Sequence, residues 1–237
     1  LTLGIGIFMG GYWAYKVLGW GGYWGWDPVE NSSLIPWLIS VALLHGMILQ
    51  KRKSMLKKGN IAMALGYFLL VIYSTFLTRS GVLSDFSVHS FGKSEVTVYL
   101  AAGIAVFLGI SVYLFYKRFN DIKSSESDAG FFSFETVLTY GIITLAIYAV
   151  VIFSGTSLPL FSGFMANPLS VTEKFYNNIS IPFGVMILGF IIAFVLTIGK
   201  FEKRELALCA GTAISAAVLF NVFFTFNALA YIFSIIS

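Results

Sequence analysis

Seven long runs of apolar residues, separated by short polar stretches, place the strongest limit on what this chain can fold into. Each run after the first is long enough to cross a bilayer as a helix, which rises about 1.5 Å per residue. Strands of a membrane barrel would instead alternate apolar and polar residues. Only 11% of the residues are charged and 58% are hydrophobic, which excludes a soluble domain. We predict an all-α fold, a polytopic transmembrane helix bundle of about seven spans, at 2–17, 33–50, 60–78, 96–116, 137–155, 181–199 and 206–234.

Both ends of the sequence lie in apolar surroundings. Leu1 is already inside the first run, and Ser237 directly follows the last. No charged n-region of a signal peptide precedes the first run. We therefore expect a fragment of a larger membrane protein, with residues 1–237 forming a single membrane domain and upstream residues completing the first span.

Lysine and arginine residues set the expected orientation, because cytoplasmic loops carry an excess of them. Eleven of the 15 basic residues lie in three loops, at 51–59, 117–136 and 200–205. We predict that these loops face the cytoplasm and do not bind nucleic acid. The other three loops would face outward, at 18–32, 79–95 and 156–180.

All the tryptophans crowd into one short part of the chain, around a loop with four glycines. One interpretation is an interfacial belt, because indole rings favour the headgroup region. A belt usually places one or two aromatic residues at each helix end, however. The alternative is a platform for a flat, conjugated ligand, with glycines allowing close backbone approach. Composition leaves both open. The residues are Trp13, Trp20, Trp24, Trp26 and Trp37.

Polar residues follow on the rim of the same loop. Asp27 or Asn31 could cap the next helix, because such side chains accept hydrogen bonds from the free N–H groups of a first turn. Asp27 and Glu30 could equally be solvated.

The residues from Gly19 to Trp37 resemble the tryptophan-rich "WWD" signature of haem-handling proteins, which CcmF, CcmC and the CcsA-type synthetases share. Tyr23 and Gly25 depart from that signature, since the family usually has Trp at the first and often an aromatic residue at the second. Other stretches resemble CcmF and its relative NrfE in particular, at 42–45, 51–52, 74–84 and 87–91, and more weakly at 159–161, 170–171 and 175–177.

This resemblance implies a cytochrome c-type biogenesis protein of a bacterial or archaeal cytoplasmic (inner) membrane. Its tryptophan-rich loop, residues 18–37, would handle haem outside the membrane. The resemblance further implies a cytochrome c haem lyase (synthetase) subunit that assists attachment of haem to apocytochrome c. The implied partners are apocytochrome c, a haem chaperone, other maturation proteins and membrane lipid. No nucleophile or acid–base pair is visible, so the catalytic residues stay unknown.

The two histidines lie at different depths. His45 is about 21 Å along its helix from Asn31, whereas His89 is in an outward loop. One iron cannot bond both, so we predict separate sites. By themselves, His45 could be a hydrogen-bonded core residue and His89 an ordinary loop residue.

The resemblance assigns both histidines to haem iron. His45 would be an axial ligand of a permanent intramembrane haem b, and His89 a ligand of a second, transient haem that is being delivered. Arg79 could grip a haem propionate or simply snorkel to the interface. The haem-binding residues implied by the resemblance are His45, His89, Trp20, Trp24, Trp26, Asp27 and Arg79.

Two alternative functions stay open. A haem transporter or delivery protein of the same superfamily would carry out no ligation. A transporter for an unrelated small molecule should carry several charges or broken helices inside its spans. The predicted span interiors hold almost no charges, which counts against it.

Overall fold

The computed structural model describes residues 1–18, 22–84, 86–87, 91–92, 95–125, 130, 132–163, 165 and 168–198. These residues contain helices and no strand. The helices are α1 (Thr2–Trp13), α2 (Pro28–Lys53), α3 (Lys57–Arg79), α4 (Val96–Arg118), α5 (Phe134–Phe161) and α6 (Glu173–Ile198). A π-helical turn, Ala14–Leu18, extends α1.

Five of these helices are long and apolar enough to cross a membrane, namely α2 to α6. They confirm the all-α fold and five of the predicted spans. The first predicted span forms the 12-residue helix α1 and its π-helical turn, which are not among the candidate spans of the described residues. The seventh predicted span, 206–234, lies outside the described residues.

Helix α2 begins at Pro28, five residues before the predicted start of its span. The reason is local, because Asp27 caps the helix and proline suits a first turn, where its missing N–H is not needed. Residues 28–37 of the tryptophan-rich segment are therefore helical.

The chain divides into two compact units, residues 1–190 and 191–237. Within the first, α2 packs against both α3 and α5, and α3 packs against α4. The largest core cluster joins α2, α5 and the start of α6, through Ile35, Leu38, Ile39, Tyr148, Ala149, Ile152 and Tyr176. Of the second unit, the structure describes residues 191–198, which are helical.

Hydrogen bonds between connecting segments define two ends of the first unit. At one end, which we call the aromatic end, residues 22–27 meet residues 86–87 and the start of α6. At the other, which we call the basic end, the Ser125 N–H donates to the Ser54 carbonyl (3.1 Å) and the Lys57 N–H donates to Ser124 Oγ (3.0 Å). Two of the loops that the charge pattern grouped together, 51–59 and 117–136, thus share an end, and the third, 200–205, lies outside the described residues.

Candidate functional site: an aromatic cavity

A capping box closes the tryptophan-rich loop onto α2. Asp27 Oδ1 accepts a hydrogen bond from the Val29 N–H (2.8 Å). Glu30 Oε2 accepts from the N–H groups of Asp27 (3.2 Å) and Gly25 (2.9 Å). The prediction that Asp27 caps the helix is confirmed. The alternative cap, Asn31, is wrong, because its amide instead donates to the Trp26 carbonyl (3.0 Å).

Asp27 also ties the α3–α4 segment to this loop. Ser87 Oγ donates to Asp27 Oδ1 at 2.7 Å, across 60 positions of sequence. Ser87 is buried, and its neighbour Phe86 packs on a second core cluster formed by Phe76, Leu77 and Leu83. The carboxylate therefore orders two segments at the aromatic end at once.

Contacts fix both the backbone and the side chain of Trp26. Its φ of 55° is in the left-handed region, which is unusual for a bulky residue. Its ring stacks on Tyr176, with centroids 5.2 Å apart and planes at 11°. Its Nε1 donates to Asn177 Oδ1 at 2.7 Å, and its carbonyl accepts from Asn31. The first turn of α6 thus fixes this indole in place.

Trp24 has a different environment. Its ring meets that of Trp26 edge-on, with centroids 5.8 Å apart and planes at 89°. Its Nε1 is buried and has no hydrogen-bond partner among the described residues. The two indoles form a corner, so a flat ligand that stacks on one would present its edge to the other.

A cavity of about 530 Å³ lies at this corner, within the range of small-molecule sites. None of its described lining residues is basic. The acidic ones include Asp27 and Glu30, which the capping box occupies. A second cavity of about 330 Å³ adjoins it on the α1 side and shares Trp24. The first is lined by Ala14, Gly22, Trp24, Gly25, Trp26, Asp27, Pro28, Glu30, Phe86, Gly155, Thr156, Pro159, Ser170, Val171, Glu173 and Tyr176.

Helices α5 and α6 supply one wall of the cavity, which the sequence did not lead us to predict. Tyr176 is buried, and its hydroxyl lies 3.3 Å from Thr156 Oγ1. A Cβ at Gly155 would lie 2.8 Å from Tyr176 Oη, so only glycine allows this approach. The available signal was the weak family resemblance at 175–177, which carries no role by itself.

The predicted site residues are only partly brought together. Trp24, Trp26 and Asp27 meet at the cavity. Trp20 and His89 lie outside the described residues. Arg79 is not among the described lining residues, and its Cζ lies 4.3 Å from the centre of the Phe91 ring.

His45 is far from the cavity, 14 residues beyond Asn31 along the same helix, or roughly 21 Å. It is half-buried, and its Nδ1 lies 2.8 Å from the Val41 carbonyl oxygen. Among the described residues, no group of three or more His, Cys, Asp or Glu side chains could hold a metal ion.

The two departures from the family signature leave the corner intact. Tyr23 stacks on Tyr15, with centroids 4.3 Å apart, and does not line the first cavity. Gly25 uses its N–H to bond Glu30. Neither position interrupts the contact of Trp24 with Trp26.

The fold and this cavity define a class, a bundle of candidate membrane-spanning helices with an aromatic ligand cavity at one end. A profile of the family described as cytochrome C assembly protein matches residues 1–83. The chain is similar to one part of several proteins named for cytochrome c biogenesis.

Three comparisons show the extent of that similarity. The chain is 41% identical over 190 residues to cytochrome c-type biogenesis protein ccl1 of Rhodobacter capsulatus, covering 78% of this chain and 28% of that protein. It is 38% identical over 182 residues to CcmF of Pseudomonas aeruginosa, covering 76% and 27%. It is 34% identical over 223 residues to NrfE of Haemophilus influenzae, covering 92% and 35%.

A solved structure of a cytochrome c haem lyase, CcmF, matches with a TM-score of 0.63 and 29% identity. The match covers 90% of this chain and 31% of that one. The chain thus spans about a third or less of the length of the relatives that it matches.

Proposed function

We propose that this chain forms the haem-handling part of a cytochrome c haem lyase, with haem as a substrate received in the aromatic cavity. The observation that carries the proposal is the corner of Trp24 and Trp26, which borders a cavity of about 530 Å³. Its homologues are named for cytochrome c biogenesis, and its structural neighbour is a cytochrome c haem lyase.

The lining of the cavity fits a flat apolar ring system entered edge-first. Trp26 offers a rigid face, and Phe86 and Tyr176 add further aromatic surface. Because acidic residues and no described basic residue line the cavity, the carboxylates of such a ligand would point out of it. This argues against Arg79 as a partner of a propionate inside the cavity.

The chain's own role in such a reaction is to position the reactants. Thioether formation joins the thiols of apocytochrome c to the vinyl groups of haem, so the protein needs no nucleophile of its own. Holding the ring system in one orientation converts an encounter between two partners into a reaction within one complex. The Trp26 ring, which stacking and hydrogen bonds fix in place, can hold the ring system in one orientation.

A resident haem b at His45 forms a second part of the proposal. The contact of Nδ1 with the Val41 carbonyl favours the tautomer that carries its proton on Nδ1, which leaves the Nε2 lone pair free for iron. When bound, such a haem would supply an iron centre capable of electron transfer. His45 would be one axial ligand.

His89 would then serve the delivered haem, as the family resemblance implies. Ser87, two residues earlier in the sequence, is bonded to Asp27, and Phe86 lines the cavity. These contacts put residues 86–87 beside the cavity, and the role of His89 is proposed from the resemblance. Two haem sites at different depths follow from the proposal, with apocytochrome c and a haem chaperone as partners.

We further propose that the aromatic end faces outward from a cytoplasmic (inner) membrane. Eleven of 15 basic residues lie in the loops assigned to the other side, as expected of cytoplasmic loops. The test uses a full-length protein in which Cys209 is replaced by serine. A cysteine at the exposed Ser84 should then react with an impermeant reagent from outside, and one at the exposed Ser125 should not. The reverse pattern would overturn the orientation.

The main test titrates haem into the purified full-length protein and follows absorbance. Trp24→Ala should weaken binding of added haem, whereas Trp13→Ala should not, because Trp13 is half exposed and does not line the first cavity. Equal affinities of both variants and wild type would refute the cavity as the haem site. Normal haem binding without ligated cytochrome would instead favour the delivery protein.

A further inference from the structure

Asn177 makes a contact that the proposed function does not yet explain. It does not line the cavity, but its Oδ1 accepts the hydrogen bond of Trp26 Nε1 at 2.7 Å. The two residues are 151 positions apart. We propose that Asn177 is a positioning residue, which fixes the Trp26 indole as the rigid wall of the haem-binding cavity. This inference rests on the proposed function and deepens it.

Trp26 requires such support because of its backbone. A left-handed φ is disfavoured for a side chain of this size and persists where surrounding contacts impose it. Asn31 secures the carbonyl of Trp26, and the capping box secures the residues that follow. None of these bonds sets the rotation of the indole ring about its side-chain torsions.

Two residues of α6 set that rotation together. The ring of Tyr176 supports one face of the indole, but stacking alone allows the indole to turn within its plane. The bond to Asn177 removes that freedom, because it fixes the direction of the N–H. Asn177 is in turn oriented by Glu173, whose Oε1 accepts from its Nδ2 at 3.5 Å.

Tyr176, on which the Trp26 ring stacks, is itself fixed by its packing. Tyr176 is 4% exposed and belongs to the largest core cluster. It contacts Gly155 so closely that a methyl group there would collide with its hydroxyl. The position of Trp26 therefore follows the start of α6, and the shape of the cavity depends on a helix distant in sequence.

Trp24 differs from Trp26 in the hydrogen bonding of its indole N–H. In the part of the chain that the structure describes, its buried Nε1 has no hydrogen-bond acceptor. The corner thus consists of one indole that is fixed by hydrogen bonding and one that is not. Asn177 should consequently affect haem binding only through Trp26.

The test is a double-mutant cycle in the full-length protein, with iron protoporphyrin IX as the probe. Asn177→Leu should weaken binding about threefold to tenfold, the range expected for one hydrogen bond. In a Trp26→Phe background, which keeps an aromatic ring but lacks the N–H, the same change should have less than about a twofold effect. The adjacent, exposed Asn178→Leu is the matched control and should bind as wild type does.

A second measurement reads Trp26 without haem. In protein labelled with 5-fluorotryptophan, the fluorine resonance missing from Trp26→Phe identifies Trp26. Asn177→Leu should shift or broaden that resonance and leave that of Trp13 unchanged, while Asn178→Leu should alter none.

The outcomes separate this inference from the proposed function. If wild type binds no haem but the Trp26 resonance still responds to Asn177→Leu, the proposed function fails and Asn177 still positions Trp26. If the resonance does not respond, or if Asn177→Leu weakens haem binding equally in the Trp26→Phe background, the positioning role is refuted.

Discussion

The aromatic end and the basic end of the first unit use charge in opposite ways. At the aromatic end, the carboxylates of Asp27 and Glu30 accept bonds from backbone N–H groups and from Ser87. At the basic end, cations lie over rings or beside carboxylates. Examples are Lys58 over Phe119 (3.8 Å to the ring centre) and Arg118 with Asp121 (3.2 Å).

This difference in how charges are bonded indicates which function each end suits. Bonds to backbone groups fix the path of the chain, so the aromatic end can hold a shaped cavity. Exposed ion pairs contribute little to stability and fix little geometry. The basic end therefore suits orientation in the membrane, and the aromatic end suits recognition of a ligand.

The largest expected effect comes from removing the corner itself. Trp24→Ala combined with Trp26→Ala removes two large aromatic surfaces, each of which can bury roughly 150–250 Å². We expect loss of cytochrome c maturation in cells, at normal membrane levels of the protein, because the apolar spans are unchanged. Haem-stained holocytochrome is measured, and Trp13→Ala is the control. A normal yield of holocytochrome would support the alternative interpretation, in which these tryptophans form an interfacial belt.

The next effect concerns His45, which lies six residues before Lys51 and so nearer the basic end. His45→Ala should abolish the reduced haem b spectrum of the purified full-length protein, since an axial bond is lost. Trp24→Ala should leave that spectrum in place. Unchanged haem content in His45→Ala would remove the resident haem from our proposal.

A smaller effect is expected when the N-cap side chains of two helices, at opposite ends of the first unit, are removed. Asp27→Ala and Ser133→Ala each remove a side chain that accepts from a first-turn N–H, of Val29 and Thr136 respectively. Each should lower stability by about 0.5–2 kcal/mol, measured by thermal unfolding in detergent. Only Asp27→Ala should also weaken haem binding, because it releases Ser87. Equal haem affinities would mean that the two ends do not differ in this way.

The smallest effect is expected at the basic end. Lys53 Nζ lies 2.6 Å from Glu135 Oε1, but the lysine side chain is 53% exposed, so water and salt screen the pair. Lys53→Ala should change stability by less than about 1 kcal/mol and leave haem affinity unchanged. A large loss of haem binding in this variant would show that the ends are coupled.

Much of the fold could be predicted because its causes are local. Apolar runs of sufficient length form helices in lipid, since a helix satisfies its own backbone groups. The boundary of α2 was missed by five residues, because Asp27 and Pro28 extend the helix beyond the apolar run that the hydropathy marks. A capping box is nevertheless readable from Asp27 and Glu30, which are three positions apart.

The candidate site was predicted in part. Clustering of tryptophans identified Trp24 and Trp26, and Asp27 lay beside them in the sequence. Arg79 was included by resemblance, but its position over Phe91 depends on how the α3–α4 segment folds back. Tyr176 was missed because a single aromatic residue in an apolar helix carries no signal of its own.

The sequence by itself determined five long helices of the described residues, the basic character of the loops at 51–59 and 117–136, and the clustering of tryptophans along the chain. Each depends on the residue and its near neighbours, through transfer to lipid and the helical repeat. Only the tertiary structure decided that the Trp26 indole is fixed by a hydrogen bond and that Trp24 Nε1 has no such partner among the described residues. It also decided that Ser87 bonds to Asp27 and that Asn177 bonds to Trp26. Their bonds join residues 60 and 151 positions apart, and such contacts exist only once the helices have packed.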